Sequence, residues 1–187
     1  TFLQFIILCL CLVVMSEMFS LAQTEIDQPL ATESLGYAIY DIGWNPDGLS
    51  LAVGGEDGLI IFNDDLQLIE QAYTGQPVYS LSWNPEGDLL AVTNAQNIDV
   101  FSWDGLSLKL FQTLTGNQTQ LLVSWSPNGD KIVTADALQF QDIWIANIRF
   151  WDTTNWQNYA DAQGLYIFPT KPFFSDLIAW NPTGVEE

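Results

Sequence analysis

Short runs of alternating apolar and polar residues recur along the chain, as IYDIGW at 39–44, VYSLSW at 78–83 and LLVSW at 121–125. Alternation with a period of two marks a strand with one buried face. Each run ends in tryptophan and enters the same turn: WNPDG at Trp44–Gly48, WNPEG at Trp83–Gly87 and WSPNG at Trp125–Gly129, with WNPTG following at Trp180–Gly184. Proline presets φ near roughly −65°, and glycine accepts the positive φ that closes a hairpin. A second apolar run follows each of the first three turns, LAV at 51–53, LAV at 90–92 and IVT at 132–134. A third comes later, as LIIF at 59–62, IDVF at 98–101 and IRFW at 148–151, each preceded by Gly58, Asn97 or Asn147. Those residue types tolerate a left-handed turn. The fourth run is more polar (LQLIEQAYTG, then SLKLFQTLTG), as an outermost strand facing water should be.

The landmarks stay in step from unit to unit. Trp44 to Trp83 spans 39 residues and Trp83 to Trp125 spans 42, and both Trp44–Phe62 and Trp83–Phe101 span 18. A period near 40 with four short strands per unit predicts propeller blades, each packing its two faces on its neighbours. The fold class expected is all-β: an incomplete β-propeller of four-stranded antiparallel blades, three blades plus the start of a fourth. The expected units are residues 36–75, 76–116, 117–164 and a partial 165–187, after a linker or outer-strand contribution at 23–35. Three units and a beginning do not close a ring, which reads as a fragment of a longer protein.

The pattern resembles the WD-repeat family of β-propellers. The likeness rests on the four Trp-(Asn/Ser)-Pro-x-Gly turns, the Asp57-Gly58 turn, and RFWD at 149–152, which ends in a Trp-Asp pair. A related class, the propellers of periplasmic TolB-like proteins, shares the turn but generally lacks that ending. This chain departs from the WD-repeat pattern in having no histidine, with Thr74-Gly75 and Thr115-Gly116 where the family has Gly-His. The family's Asp-His-Ser/Thr-Trp network is therefore not expected here. The Trp-Asp pair is replaced by Phe62-Asn63 and Phe101-Ser102 in the first two units.

Function is expected where the period breaks. Trp125 to Trp180 spans 55 residues, 16 more than the first interval. The excess falls at ALQFQDIWI (137–145), between strands two and three, and at LYIFPTKPFF (165–174), before the next blade. Strand direction alternates within a blade, so both insertions emerge on one face of the disc. The family resemblance implies that this is the top, partner-binding face. Leu138, Phe140, Trp144, Tyr166, Phe168 and Phe173 are unusual in loops and are the candidate contacts for a protein or peptide partner. Alternatively, the insertions pack on each other, or DIWI pairs as an extended hairpin.

Composition narrows the remaining chemistry. Four basic against 23 acidic residues give a net charge of −19, which repels phosphate backbones and anionic lipid. Without histidine there is no Ser-His-Asp site and no imidazole metal site. The acid pairs Glu56-Asp57 and Asp64-Asp65 sit at strand ends, where turn residues are commonly acidic. No calcium-loop spacing occurs, and Gly54-Gly55 opens no helix to cradle phosphate. No cofactor is expected. Asn117-Gln118-Thr119 is a glycosylation sequon. The expectation is a non-catalytic binding scaffold; the alternative is an enzyme or carbohydrate-binding propeller whose working residues lie in other blades. At the other end, TFLQFIILCLCLVVM followed by the Ser20-Leu21-Ala22 exit fits an N-terminal apolar helix or signal segment over residues 1–22. An uncleaved anchor is the rival. Both cysteines, Cys9 and Cys11, lie inside this run, so a cleaved chain would carry no thiol. Export is the location this implies.

Overall fold

The computed structural model describes residues 32–94, 97–116, 119–140, 143–168 and 180, with backbone alone at 119, 137–140, 143–146 and 163–168. The segment expected to be a signal or helix and the partial fourth unit beyond Phe168, Trp180 excepted, lie outside the described residues. Among the described residues there is no helix.

Among the described residues, twelve strands form three four-stranded antiparallel sheets in plain up-and-down order. Blade one holds β1 (Ile39–Trp44), β2 (Ser50–Gly55), β3 (Gly58–Asn63) and β4 (Leu68–Ala72). Blade two holds β5 (Leu81–Trp83), β6 (Leu89–Thr93), β7 (Asn97–Trp103) and β8 (Leu108–Thr115). Blade three holds β9 (Thr119–Trp125), β10 (Lys131–Phe140), β11 (Ile143–Asp152) and β12 (Gln157–Phe168). Register makes the repeat quantitative. Trp44 pairs with Leu51 and Leu51 with Phe62; Trp83, Leu90 and Phe101 form the same row; so do Trp125, Ile132 and Trp151. The substitution of Phe for Trp in two blades therefore leaves the row intact.

The proline turns repeat their hydrogen bonds as well as their residues. The N–H groups of Gly48, Gly87 and Gly129 donate to the carbonyls of Asn45, Asn84 and Ser126 at 2.8, 3.0 and 3.0 Å. All three glycines sit at φ between 73 and 77°. The first two turns also interlock, because the Asn45 side-chain amide donates to the Gly87 carbonyl at 2.7 Å.

Two apolar cores lie between the sheets. Ala52, Leu59 and Ile61 of blade one pack on Leu81, Trp83, Leu90, Val92, Phe101 and Trp103 of blade two. Ala91, Ile98, Val100 and Leu114 of blade two pack on Val123, Trp125, Ile132 and Trp151 of blade three. Burying each large side chain contributes about 1.5–3 kcal/mol, so these seams carry most of the stability. The first strands meet most closely: Trp83 Nε1 donates to the Gly43 carbonyl (3.0 Å), and the Leu81 N–H to Asp41 Oδ2 (2.9 Å). The last strands β4 and β8 are largely exposed, as an outer rim should be.

Two expectations need correction. The run at 78–83 is strand only from Leu81, because the Val78 N–H turns away to the Gly55 carbonyl of blade one at 2.9 Å. The insertions expected as loops are strand: 137–140 ends β10, 143–146 begins β11, and 165–168 finishes β12, past the boundary placed at 164. The extended-hairpin alternative for DIWI describes the backbone.

Candidate functional site

Blade three departs from its neighbours most in the length of its strands beyond the core. Its inner strand β9 ends its pairing with β10 at Thr119 opposite Ala137, while β10, β11 and β12 continue as a three-stranded arm. Apolar residues on both sides of Gln141-Asp142 favour this continuation, since each half can pair with the other. In the arm Leu138 pairs with Ile145, Phe140 with Ile143, and Gln139 with Trp144. Trp144 also pairs with Phe168 across a break in register after which Ala146 faces Gly164. The break leaves Tyr166 in the irregular stretch between these pairs. Five of the six candidate residues thus lie in one sheet, on β10 (Leu138, Phe140), β11 (Trp144) and β12 (Tyr166, Phe168). Phe173 lies outside the described residues.

A charged cluster sits at the root of the arm. Asp136 is 1% exposed, and Arg149 Nη1 stands 2.8 Å from its Oδ2, a contact of charge without the alignment of a hydrogen bond. Its Oδ1 accepts from the Asn147 amide at 2.9 Å. Arg149 also lies 3.7 Å from the exposed Asp161. A buried carboxylate needs such partners, because an unpaired one carries a penalty of several kcal/mol. Arg149 therefore ties three strands of blade three together where the arm departs.

Sequence reasoning missed a second polar group, at the seam of blades one and two. Asp99 of β7, 8% exposed, accepts hydrogen bonds from the Tyr73 hydroxyl, the Asn94 amide and the Thr113 hydroxyl, the last at 2.7 Å. Burial and this carboxylate push the Tyr73 hydroxyl well above the ordinary tyrosine range. Tyr73 belongs to the stretch after β4, so the bond joins neighbouring blades. Its partners are 26 residues apart, and no local signal announces it.

Parts of the network that histidine would complete survive in another form. Asp57 Oδ1 accepts from the Gly75 N–H at 2.9 Å, and Trp151 Nε1 donates to Thr134 Oγ1 at 3.1 Å. The acid pairs Glu56-Asp57 and Asp64-Asp65 are all exposed at strand ends. Among the described residues, no group of three or more Asp, Glu, His or Cys side chains is placed to hold a metal ion.

Three blades of this register and turn chemistry define a β-propeller of the divergent WD-repeat type. Residues 13–141 match the family described as eukaryotic translation initiation factor eIF2A, more than half of the chain, and the chain belongs to that family. No curated protein matches it in sequence. Among solved structures it is similar to Kuenenia stuttgartiensis hydrazine synthase, with 15% identity and a TM-score of 0.58 over 74% of this chain and 39% of that one. It is similar to U3-55K at 10% identity and TM-score 0.58, over 71% of this chain and 41% of that one. The WD40 repeats of RRP9 give 10% identity and TM-score 0.59, over 72% and 41%. At such identities the likeness is one of fold. The chain spans between 39 and 41% of the length of these structures.

Proposed function

We propose that the chain is a protein-binding propeller scaffold that grips a protein or peptide partner through the arm of blade three. The observation that carries this reading is the arm itself. The one departure from a regular repeat gathers Leu138, Phe140, Trp144, Tyr166 and Phe168 into a single three-stranded sheet. Aromatic and large aliphatic anchors dominate the energetics of protein interfaces. A net charge of −19 favours a partner with a basic or apolar face over nucleic acid. The role is binding without catalysis: the chain has no histidine, and its adjacent carboxylates serve exposed turns.

Replacing Phe140, Trp144 and Phe168 together by Ser tests this. The variant should keep a melting temperature within a few degrees of the parent and lose the proteins that the parent captures from its native extract. Identical capture by both would sink the assignment of the arm.

We further infer export, supported by the apolar run of residues 1–15 and its small-residue exit. The matched family's name belongs to translation, which would keep the chain with the ribosome. The mass of the mature protein in cell fractions separates the two. Loss of 1–22 in an exported fraction supports export, and an intact chain among ribosomes overturns it.

A further inference from the structure

The last strand of a sheet presents a row of unpaired backbone N–H and C=O groups, on which another chain can add a strand. β4, β8 and β12 hold that position in the three blades. All three break register beside the same row, so that Ile69, Phe111 and Tyr159 are skipped in the pairing with the third strand. Beyond this bulge the unbroken pairing runs for three residues in β4 and four in β8. In β12 it runs for five, Ala160 to Gly164 opposite Phe150 to Ala146, and resumes at Phe168. β12 is also the longest of the three, at 12 residues against 5 and 8.

Two of these edges are blunted. β4 stops after five residues. β8 carries Lys109, and the ring of its bulge residue Phe111 is turned onto Trp156, with centroids 5.6 Å apart. Short edge strands and edge lysines are the common protections against strand addition. β12, with the sequence QNYADAQGLYIF, has no Lys, Arg or Pro. Its single charge is Asp161, whose side chain is 57% exposed, 3.7 Å from Arg149 Nε and hydrogen-bonded by the Asn158 amide at 2.7 Å. Residues 157–162 are exposed throughout. Among the described residues the outer edge of β12 pairs with no other strand.

We propose that the outer edge of β12 at 160–164 takes an extended, basic segment of a partner protein as a fifth strand of blade three. The inference rests on the reading of blade three as the partner-binding blade and names how the partner is held. Main-chain hydrogen bonds supply the attachment, and side chains at alternate positions select the segment. The residue opposite Asp161 lies on the same face as that carboxylate, which calls for Lys or Arg. The residues opposite Ala160 and Ala162 lie on the other face, where the small side chains leave room for large apolar ones. Charge selects against a second copy of the chain. With 4 basic and 23 acidic residues, two copies repel each other, and β12 itself has no cation to set opposite Asp161.

The probe is a short synthetic peptide of alternating valine and lysine, followed by fluorescence anisotropy and by hydrogen exchange of the full chain. Amides of 160–164 that point away from β11 should exchange fast in the free chain and gain protection with the peptide, while β4 and β8 stay unchanged. Two further peptides are N-methylated, one on every valine and one on every lysine. A strand offers only alternate N–H groups to each neighbour, so one of them should bind about tenfold or more weaker and the other as before. Asp161→Lys should weaken the unmodified peptide several-fold. Outward amides already protected in the free chain, protection confined to other edges, equal binding of both methylated peptides, or no binding overturns the proposal. The variant with Phe140, Trp144 and Phe168 replaced by Ser separates the two readings. It should lose the captured proteins yet keep the protection by the peptide. Capture unchanged with protection present would sink the anchors alone and leave strand addition supported; protection absent from the parent would sink strand addition alone.

Discussion

The hub of the molecule and the arm of blade three are made from the same hairpins under opposite constraints. At the hub, the Trp–Leu/Ile–Phe/Trp rows occur three times, once in each blade. Each first strand must fit a neighbour within a few ångströms, so its residues vary little: Gly43, Ser82 and Ser124 precede the tryptophans. Among the described residues the arm pairs only within blade three. There β10, β11 and β12 reach 10, 10 and 12 residues, against 5–6 for β2, β3 and β4. Where packing repeats, sequence repeats; where packing stops, the chain is free to acquire binding residues. In this molecule variation and proposed function coincide for that reason.

The hardest blow to the hub is Trp83→Ala. The side chain is 8% exposed, and its indole donates to blade one. Emptying such a site costs about 3–5 kcal/mol, measured as a fall in urea midpoint at unchanged slope. In the 187-residue chain Trp44→Ala should cost under about 1 kcal/mol, in line with exposed substitutions. Equal costs in that chain would break the distinction between covered and bare tryptophans.

Next comes the junction between hub and arm. Asp136→Ala leaves Arg149, 14% exposed, without its buried partner. Removing one member of such a pair costs about 3 kcal/mol or more. Replacing both, with Asp136→Ala and Arg149→Met, should recover part of that loss. Hydrogen exchange should then show faster exchange in 137–140 and 143–146 with the hub still protected. Uniform loss of protection would mean that hub and arm unfold as one unit.

A smaller effect separates two copies of one turn. Gly87 has φ 77°, and a Cβ there would collide with the Asn45 amide, whose nitrogen donates to the Gly87 carbonyl. Gly48 has φ 73° with nothing within 4 Å of an added Cβ. Gly48→Ala should cost about 1–2 kcal/mol for the left-handed backbone alone. Gly87→Ala should cost about 1 kcal/mol more, from the lost inter-blade hydrogen bond. If the two costs are equal, the interlock of the turns contributes nothing.

The hub was legible in the sequence because its signals are local and repeated. The equal spacing from Trp44 to Phe62 and from Trp83 to Phe101 aligned the first two blades without coordinates. The arm was legible as an anomaly of period, with an extended hairpin at DIWI only as the alternative, since an insertion of aromatic residues suggests a loop when only the blade repeat is followed. The apolar residues on both sides of Gln141-Asp142 were the available signal. Val78 left the strand expected at 78–83 because its N–H serves another blade, and the Tyr73–Asp99 bond was invisible for the same reason. Contacts between blades depend on which residues the fold brings together, and strand periodicity carries no record of that.

The smallest predicted effect is electrostatic and lies in the turns from third to fourth strand. In blades two and three these turns are capped by carboxylates. Asp104 accepts from the N–H groups of Ser107 and Leu106 at 2.9 and 3.0 Å, and Asp152 from that of Thr154 at 2.8 Å. Hydrogen bonds from the Ser107 and Leu106 backbone hold Asp104 below the usual carboxylate range; those from the Thr154 hydroxyl and N–H do the same for Asp152. Blade one uses a neutral cap, Asn63, whose Oδ1 accepts from Asp65 and Gln67 at 3.1 and 2.7 Å. A carboxyl group with a depressed pKa stabilises the fold above its unfolded value of about 3.9 and loses that contribution as pH falls through the folded value. Melting temperature followed from pH 5 down to 2 should therefore decline less steeply in Asp104→Asn/Asp152→Asn than in the parent. Asn63→Asp should make the decline steeper by giving blade one the same acid-sensitive cap. An unchanged profile in both variants would place the acid sensitivity outside these caps.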